Sequence, residues 1–556
     1  TNTVTLMSFG YNPDIAKWSP FHSAVYAVLE SVARVVCAGG ELDSIKLTFQ
    51  EYFEKLGKDP FKWGKPLAAL LGALYAQKDL GVAAIGGKDS MSGSFKDMNV
   101  PPTLVSFAVA TGRANELISP EFKGYGNYVV LVSAPRDDFQ LPDFKKIKKN
   151  YSLIGKLISG GSILSAGTVK RGGICETVSK MSFGNRIGLK FADRSVDLFS
   201  PDYGSIVVEV DKSVDLEKTF GEIDYKFLGI TQKQQSIDMG KTKISVLDMQ
   251  SSWEKSLESI FPTKAPVGDS EIKLHYFRRG HGLSPAVKTV NPKVTIPVFP
   301  GTNCEYDSAR AFQKAGAKVD TVVVRNLTAA EIEESVDAIV DSINSSQIIM
   351  IPGGFSAGDE PDGSGKFIAA FFRNSKVEEA VMELLNKRDG LILGICNGFQ
   401  ALIKLGLLPF GEIRDIEEDY PTLTYNKIGR HVSRVVNTKI ISNLSPWFNN
   451  VSVGDVYSIA VSHGEGRFVA NPALIEDMEK RGQIATQYVN FEGNPSYNIK
   501  FNPNGSYCAV EGITSPDGRV LGKMAHSERI GKNIMKNIPG RKDQKLFEAG
   551  VDYFKI

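Results

Sequence analysis

Apolar residues recur at helical spacing between residues 21 and 36, at Val25, Val28, Leu29, Val32 and Val36, and the run stops at Gly39-Gly40. That spacing predicts an amphipathic helix with a glycine stop. Residues 3–9 and 45–49 read as short strands, 66–80 as a second helix and 82–85 as a strand. A polar glycine loop, Gly86-Gly87-Lys88-Asp89-Ser90-Met91-Ser92, precedes a strand over residues 103–110. After a polar, glycine-rich stretch at 121–127 a new set begins: strand 128–133, helix 151–158, helix 174–181 and strands 204–210 and 226–230. Periodicity fades over 270–292, where Arg278-Arg279-Gly280-His281-Gly282 and two prolines read as a linker. Strands and helices then alternate over 294–299, 308–315, 319–324, 329–343, 347–351 and 377–387. Such alternation predicts a parallel sheet covered by helices on both faces. The expected division is 1–118 and 119–268 as two α+β units, 269–292 as a linker and 293–556 as an α/β domain.

The apolar run Leu391-Ile392-Leu393 ends in Gly394-Ile395-Cys396-Asn397-Gly398, and a helical pattern follows over 399–405. A strand-turn-helix elbow pushes its central side chain clear of the sheet, and the flanking glycines remove Cβ atoms that would crowd the turn. The helix start aims N–H groups and a positive dipole end at the thiol. Ligands of parallel α/β sheets gather at this end of the strands.

Composition narrows the field. With 556 residues the chain needs several cores, and a net charge of +2 leaves no basic face for nucleic acid. No apolar run is long enough to span a bilayer, so neither nucleic acid nor membrane is an expected partner. Five scattered cysteines without a C-x-x-C pair indicate neither a disulfide framework nor a zinc site, and fit a reducing cytoplasm. A strand that begins at once, after Thr1 rather than Met, reads as part of something longer.

A cysteine nucleophile needs a base, and the base needs an orienting acceptor. Two H-x-E segments qualify, His463-Gly464-Glu465 and His526-Ser527-Glu528, and spacing alone does not choose between them. The strand-like 520–525 ahead of His526 suits a rigid catalytic end, whereas glycine-flanked His463 suits a looser substrate-contacting loop. Pro352-Gly353-Gly354-Phe355-Ser356, after another strand, lets backbone N–H groups approach a ligand as an oxyanion hole requires.

Together with Phe299-Pro300-Gly301-Thr302-Asn303-Cys304-Glu305, these motifs resemble class I (triad-type) glutamine amidotransferases. More narrowly they resemble the glutaminase domain of the formylglycinamide ribonucleotide amidotransferase (phosphoribosylformylglycinamidine synthase) family. The loop at 86–92 is similar to the substrate loop of that family's synthetase part. The two units before the linker are similar to its second pair of aminoimidazole-ribonucleotide-synthetase-like subdomains. The resemblance implies a flavodoxin-like amidotransferase domain with Cys396 as nucleophile, His526 as base and acid, and Glu528 as orienter. It implies oxyanion donors near Gly353, Gly354, Phe355 and Asn397, with Gln400, His463 and Glu465 around the glutamine, and Gly87, Lys88, Asp89 and Ser90 in the synthetase loop. L-glutamine and formylglycinamide ribonucleotide would be substrates, and ATP with Mg²⁺ would serve the complete enzyme, the glutaminase step needing no cofactor.

Departures from the family pattern set further expectations. Family chains carry an upstream synthetase half, so that half is the expected partner and this piece is expected to be incomplete as a synthetase. An auxiliary Mg-ADP site is not expected: 167–173 reads Gly-Thr-Val-Lys-Arg-Gly-Gly, and Arg34 stands four residues after Glu30, the one metal-ligand candidate. Lys170, Arg171 or Arg34 would fill that space with charge. The loop 524–529 lacks flanking prolines and is expected to be less rigid. Two other readings remain open from sequence: a stand-alone glutamine hydrolase or another synthetase's amidotransferase subunit, and a catalytically silent docking module.

Overall fold

The computed structural model describes residues 2–192, 196–266, 272–274, 276–280, 283–358, 364–531, 534–535 and 538–556. Parts of the expected linker, His281 and Gly282 among them, lie outside the described residues. The chain forms two compact units, Thr1–Ser256 and Leu257–Ile556.

In the first unit the long helix Pro20–Cys37 begins where Ser19 accepts a bond from the His22 N–H and Pro20 fills the first helical position. It is buried along most of its length and packs on a four-stranded sheet ordered Thr3–Gly10, Thr103–Arg113, Lys46–Tyr52, Ala83–Lys88. Strand alternation puts Leu104, Ala108 and Ala110 under the helix and leaves Met7, Phe9 and Phe107 on the bare face. Gly86, Gly87 and Lys88, read from sequence as loop, are strand: they pair in parallel with Thr48, Phe49 and Gln50. A Cβ on Gly87 would lie 3.0 Å from the Phe49 carbonyl oxygen, so glycine is what allows this pairing. A seven-stranded mixed sheet completes the unit, with Tyr128–Val132 and Ile206–Val210 buried in its interior.

The second unit is built on one nine-stranded sheet. Lys318–Val323, Lys293–Val298, Ile348–Ile351, Leu391–Ile395 and Val520–Lys523 run parallel in that order. Their near-continuous Val/Ile/Leu runs are what a sheet covered on both faces requires. The sheet continues antiparallel through Val510–Thr514, Ile484–Val489, Val432–Ile440 and Val456–His463. The strands that alternate with helices over 294–395 form the expected parallel sheet, and the strands after the elbow extend it as a mixed one. Val510–Thr514 and Val520–Lys523 are joined by a tight turn over 515–519, which leaves them only the antiparallel pairing.

Candidate active site

Leu391–Ile395 delivers Cys396 at its carboxyl end, and the helix Asn397–Leu405 starts at the next residue. Cys396 sits at φ 53° and ψ −104°, a strained conformation for a residue with a Cβ. The turn holds because its flanks are bare: a Cβ on Gly398 would lie 2.0 Å from the Ile351 carbonyl oxygen, and one on Gly394 would meet Leu402 and Gly398. The thiol is buried, not displayed on the surface, with Sγ 3.7 Å from the Ser462 carbonyl oxygen.

His526 and Glu528 follow Val520–Lys523, the strand next to the elbow strand. His526 Nδ1 lies 2.5 Å from Glu528 Oε1, and both side chains are buried. Burial opposes charge on the imidazole. The Glu528 carboxylate outweighs it, helped by hydrogen bonding toward Cys304 and Cys396, and holds His526 well above its ordinary pKa. Burial likewise raises Glu528, but His526 and the nearby Arg529 bring it below the usual carboxylate value. The pair is thus an imidazolium-carboxylate in character.

The loop carrying His526 is held by partners far away in sequence, in place of the missing prolines. The His526 N–H donates to the Ala460 carbonyl, and the Ala525 N–H donates to Glu511. Lys523 and Glu511, both wholly buried, pair at 3.2 Å. Lys523 Nζ also donates to the Ala525 carbonyl and Ser527 Oγ, Ser527 Oγ donates to Gln544, and Gln544 Nε2 to Thr438. The reduced rigidity expected for this segment is therefore not what the packing provides.

His463 ends the strand Val456–His463 and is buried, not placed in a loose loop. Its Nδ1 lies 3.0 Å from Asn426 Oδ1, so Nδ1 carries the proton and Nε2 is a bare acceptor, unpartnered among the described residues. Burial first, then the charges of His526 and His431, push its pKa down to about 3. A histidine that stays neutral has no proton to relay, which separates it from His526. Glu465 does not orient it; its backbone carbonyl instead accepts from Gln400 Nε2.

Gln400 is committed at both ends, since its Oε1 also accepts from Asn397 Nδ2 at 3.0 Å. The Phe355 N–H, expected as an oxyanion donor, is taken by the Gly301 carbonyl at 2.9 Å. The bridge between Thr302 and Gly354 accounts for this: it pairs the flanking residues and leaves the Gly354 N–H without a partner among the described residues. Gly353 lies against the reacting groups, where a Cβ would come 2.8 Å from His526 Cε1 and 3.5 Å from Cys396 Cβ.

Cys304 joins this centre without having been assigned a role from sequence. Its Sγ lies 4.0 Å from His526 Nδ1 and 3.1 Å from Arg529 Nη2. A cysteine standing just before a helix reveals nothing of a partner more than two hundred positions later.

In the first unit Gly87, Lys88 and Asp89 are exposed and Ser90 is partly covered. The Ser90 N–H donates to the Glu51 carbonyl at 3.1 Å. Glu51, another residue the sequence did not single out, is buried with Oε1 unpartnered, and burial and the Asp89 carboxylate raise its pKa to about 7. Glu30 is met by Lys170 Nζ at 2.7 Å and Arg34 Nη1 at 3.9 Å, while Arg171 pairs with Asp14. A carboxylate already neutralised in this way does not fit a magnesium ligand.

A thiol on a strained elbow, facing a buried imidazole-carboxylate pair across adjacent strands of a mainly parallel sheet, defines a triad-type glutamine amidotransferase. Residues 291–554 match the family model of the CobB/CobQ-like glutamine amidotransferase domain. The subunit PurQ of phosphoribosylformylglycinamidine synthase from Methanococcus maripaludis is 36% identical over 283 residues, 48% of this chain and 98% of that protein. Its counterpart from Chlorobaculum tepidum is 31% identical over 256 residues, 46% of this chain and 94% of that protein. The chain belongs to the phosphoribosylformylglycinamidine synthase family, through the PurQ-like part in its second unit. The solved structure of PurLQS from Thermotoga maritima aligns with 48% of this chain and all of that one, at 26% identity and a TM-score of 0.34.

Proposed function

We propose that the second unit hydrolyses glutamine and supplies the nitrogen for glutamine-dependent conversion of formylglycinamide ribonucleotide to its amidine in purine biosynthesis. The observation that carries this reading is the His526–Glu528 pair, 2.5 Å apart and buried, set beside Cys396 on its elbow. Cys396 Sγ attacks the side-chain amide carbon of glutamine as thiolate, its proton already held by His526, which passes it to the leaving nitrogen. A glutamyl thioester forms and ammonia departs. Water then attacks the thioester with His526 as base, giving glutamate and the free thiol. Glu528 holds the imidazole and stabilises its charged form. The Gly354 N–H and the first turn of Asn397–Leu405 serve the oxyanion, and the bare Nε2 of His463 accepts a donor from the bound glutamine.

The first unit, with Gly87, Lys88, Asp89 and Ser90, is proposed as half of a synthetase whose upstream half brings the ATP-binding groups. ATP with Mg²⁺ would activate the formyl oxygen there; no auxiliary Mg-ADP is proposed beside Glu30. Two variants test the division of labour. In His526→Ala the thioester should not accumulate on glutamine addition, as read by intact-protein mass spectrometry, whereas His463→Ala should form it with a raised KM. The reverse pattern would move the base to His463.

A further inference from the structure

The donor atoms of Cys304, His526 and Glu528 lie within 4.8 Å of one another, and all three residues are buried. Thiolate, imidazole nitrogen and carboxylate are the donor set of Zn²⁺ and chemically similar transition ions, not of Mg²⁺ or Ca²⁺. A second observation points the same way: Glu528 Oε2 is buried and without a partner. Glu528 also borders an open cavity of about 260 Å³, which gives it a route to solvent. We propose that Cys304, His526 Nδ1 and Glu528 form a three-ligand site for Zn²⁺ that shuts off glutamine hydrolysis when filled.

The inhibition follows from which nitrogen is used. In the metal-free site the Nδ1 proton faces Glu528 and Nε2 holds the thiol proton that the leaving nitrogen needs. A metal replaces the Nδ1 proton and leaves Nε2–H as the ring's only one, which a neutral imidazole gives to the leaving nitrogen far less readily than imidazolium does. Binding releases the Cys304 thiol proton and the Nδ1 proton to solvent, so occupancy rises with pH. It also displaces two contacts, the His526–Glu528 hydrogen bond and the Arg529 Nη2 contact to Cys304 Sγ at 3.1 Å. The positive charge of Arg529 opposes the ion, which favours reversible regulation over a permanent structural metal.

The metal site rests on the geometry alone, and only its inhibitory consequence rests on the catalytic reading above. Two measurements keep the two apart. In the first, Co²⁺ is added to the full chain carrying Cys396→Ala, which cannot react. A thiolate-to-cobalt charge-transfer absorption should appear there and be lost when Cys304→Ala or Cys304→Ser is added. In the second, Zn²⁺ should inhibit glutamate release by the unmodified chain and a chelator should restore it, while Mg²⁺ has no effect. Measured against its own metal-free rate of hydrolysis, Cys304→Ala should need at least about tenfold more Zn²⁺ for half-inhibition. Absorption that persists without Cys304, or Zn²⁺ inhibition that Cys304→Ala leaves unchanged, would overturn the site. Cobalt binding without inhibition would retain the site and overturn its control of catalysis.

Discussion

At Cys396 the chain tolerates a left-handed φ because Gly394 and Gly398 let the helix start press against the neighbouring strand. The same close packing makes Gly353 a sensitive position, since a methyl group there would enter the space of His526 Cε1. Gly353→Ala should cut glutamate release by about a hundredfold or more, as a roughly 1 Å misplacement of a reacting group does, while leaving the melting temperature nearly unchanged. A fall in melting temperature matching the lost activity would mean that this glycine serves the fold instead. The elbow at Cys396 and an H-x-E partner were legible because both are local patterns, although the pattern alone did not separate His526 and Glu528 from His463 and Glu465. The roles of their neighbours were not. Nothing near His463 announces that Asn426, on another segment, fixes its tautomer. Cys304 enters the centre only through folding.

Two elements carry most of the hidden support. The strand Val520–Lys523 ends in a lysine with no exposure to solvent, a residue that strand patterning treats as an error unless it is paired. Its pairing with Glu511 fastens the loop that bears His526. Lys523→Met removes one partner and leaves Glu511 buried and uncompensated, which should destabilise the second unit by about 3–5 kcal/mol in chemical denaturation. A loss near zero would show that the pair is dispensable. In the strand Lys46–Tyr52, Glu51 has its pKa raised from 4.5 to about 7 by burial and by Asp89. An acid raised on folding binds more protons folded than unfolded between those values. Its contribution to stability is therefore present below about pH 4.5 and lost as pH rises through about 7. At pH 8 Glu51→Gln should recover roughly 2–3 kcal/mol, seen as a higher melting temperature, and at pH 4.5 it should change little. Equal effects at both pH values would rule out a raised Glu51. Elements themselves were readable where apolar periodicity was long, as in Pro20–Cys37. Pairing direction was readable where strands alternate with helices and was not in the strands after the elbow, because a short apolar strand looks alike in parallel and antiparallel company.

For the whole molecule, each unit is described by its own core and surface. The second is built around one large core. The first leaves Met7, Phe9 and Phe107 exposed on its sheet and Trp63, Leu67, Leu70, Leu71 and Leu74 along the helix Pro60–Leu80. Exposed apolar side chains in such number are a common mark of interaction sites, which supports the proposal that an upstream synthetase half belongs beside this unit. Composition and charge did not foretell this surface, because in sequence a helix with an exposed apolar face reads as an ordinary amphipathic one. The central claim concerns the second unit and is tested by glutamate release from glutamine, compared between the unmodified chain and Cys396→Ala. The account predicts slow but measurable release that falls at least about 10⁴-fold, to background, in the variant; release at an unchanged rate from Cys396→Ala would contradict it.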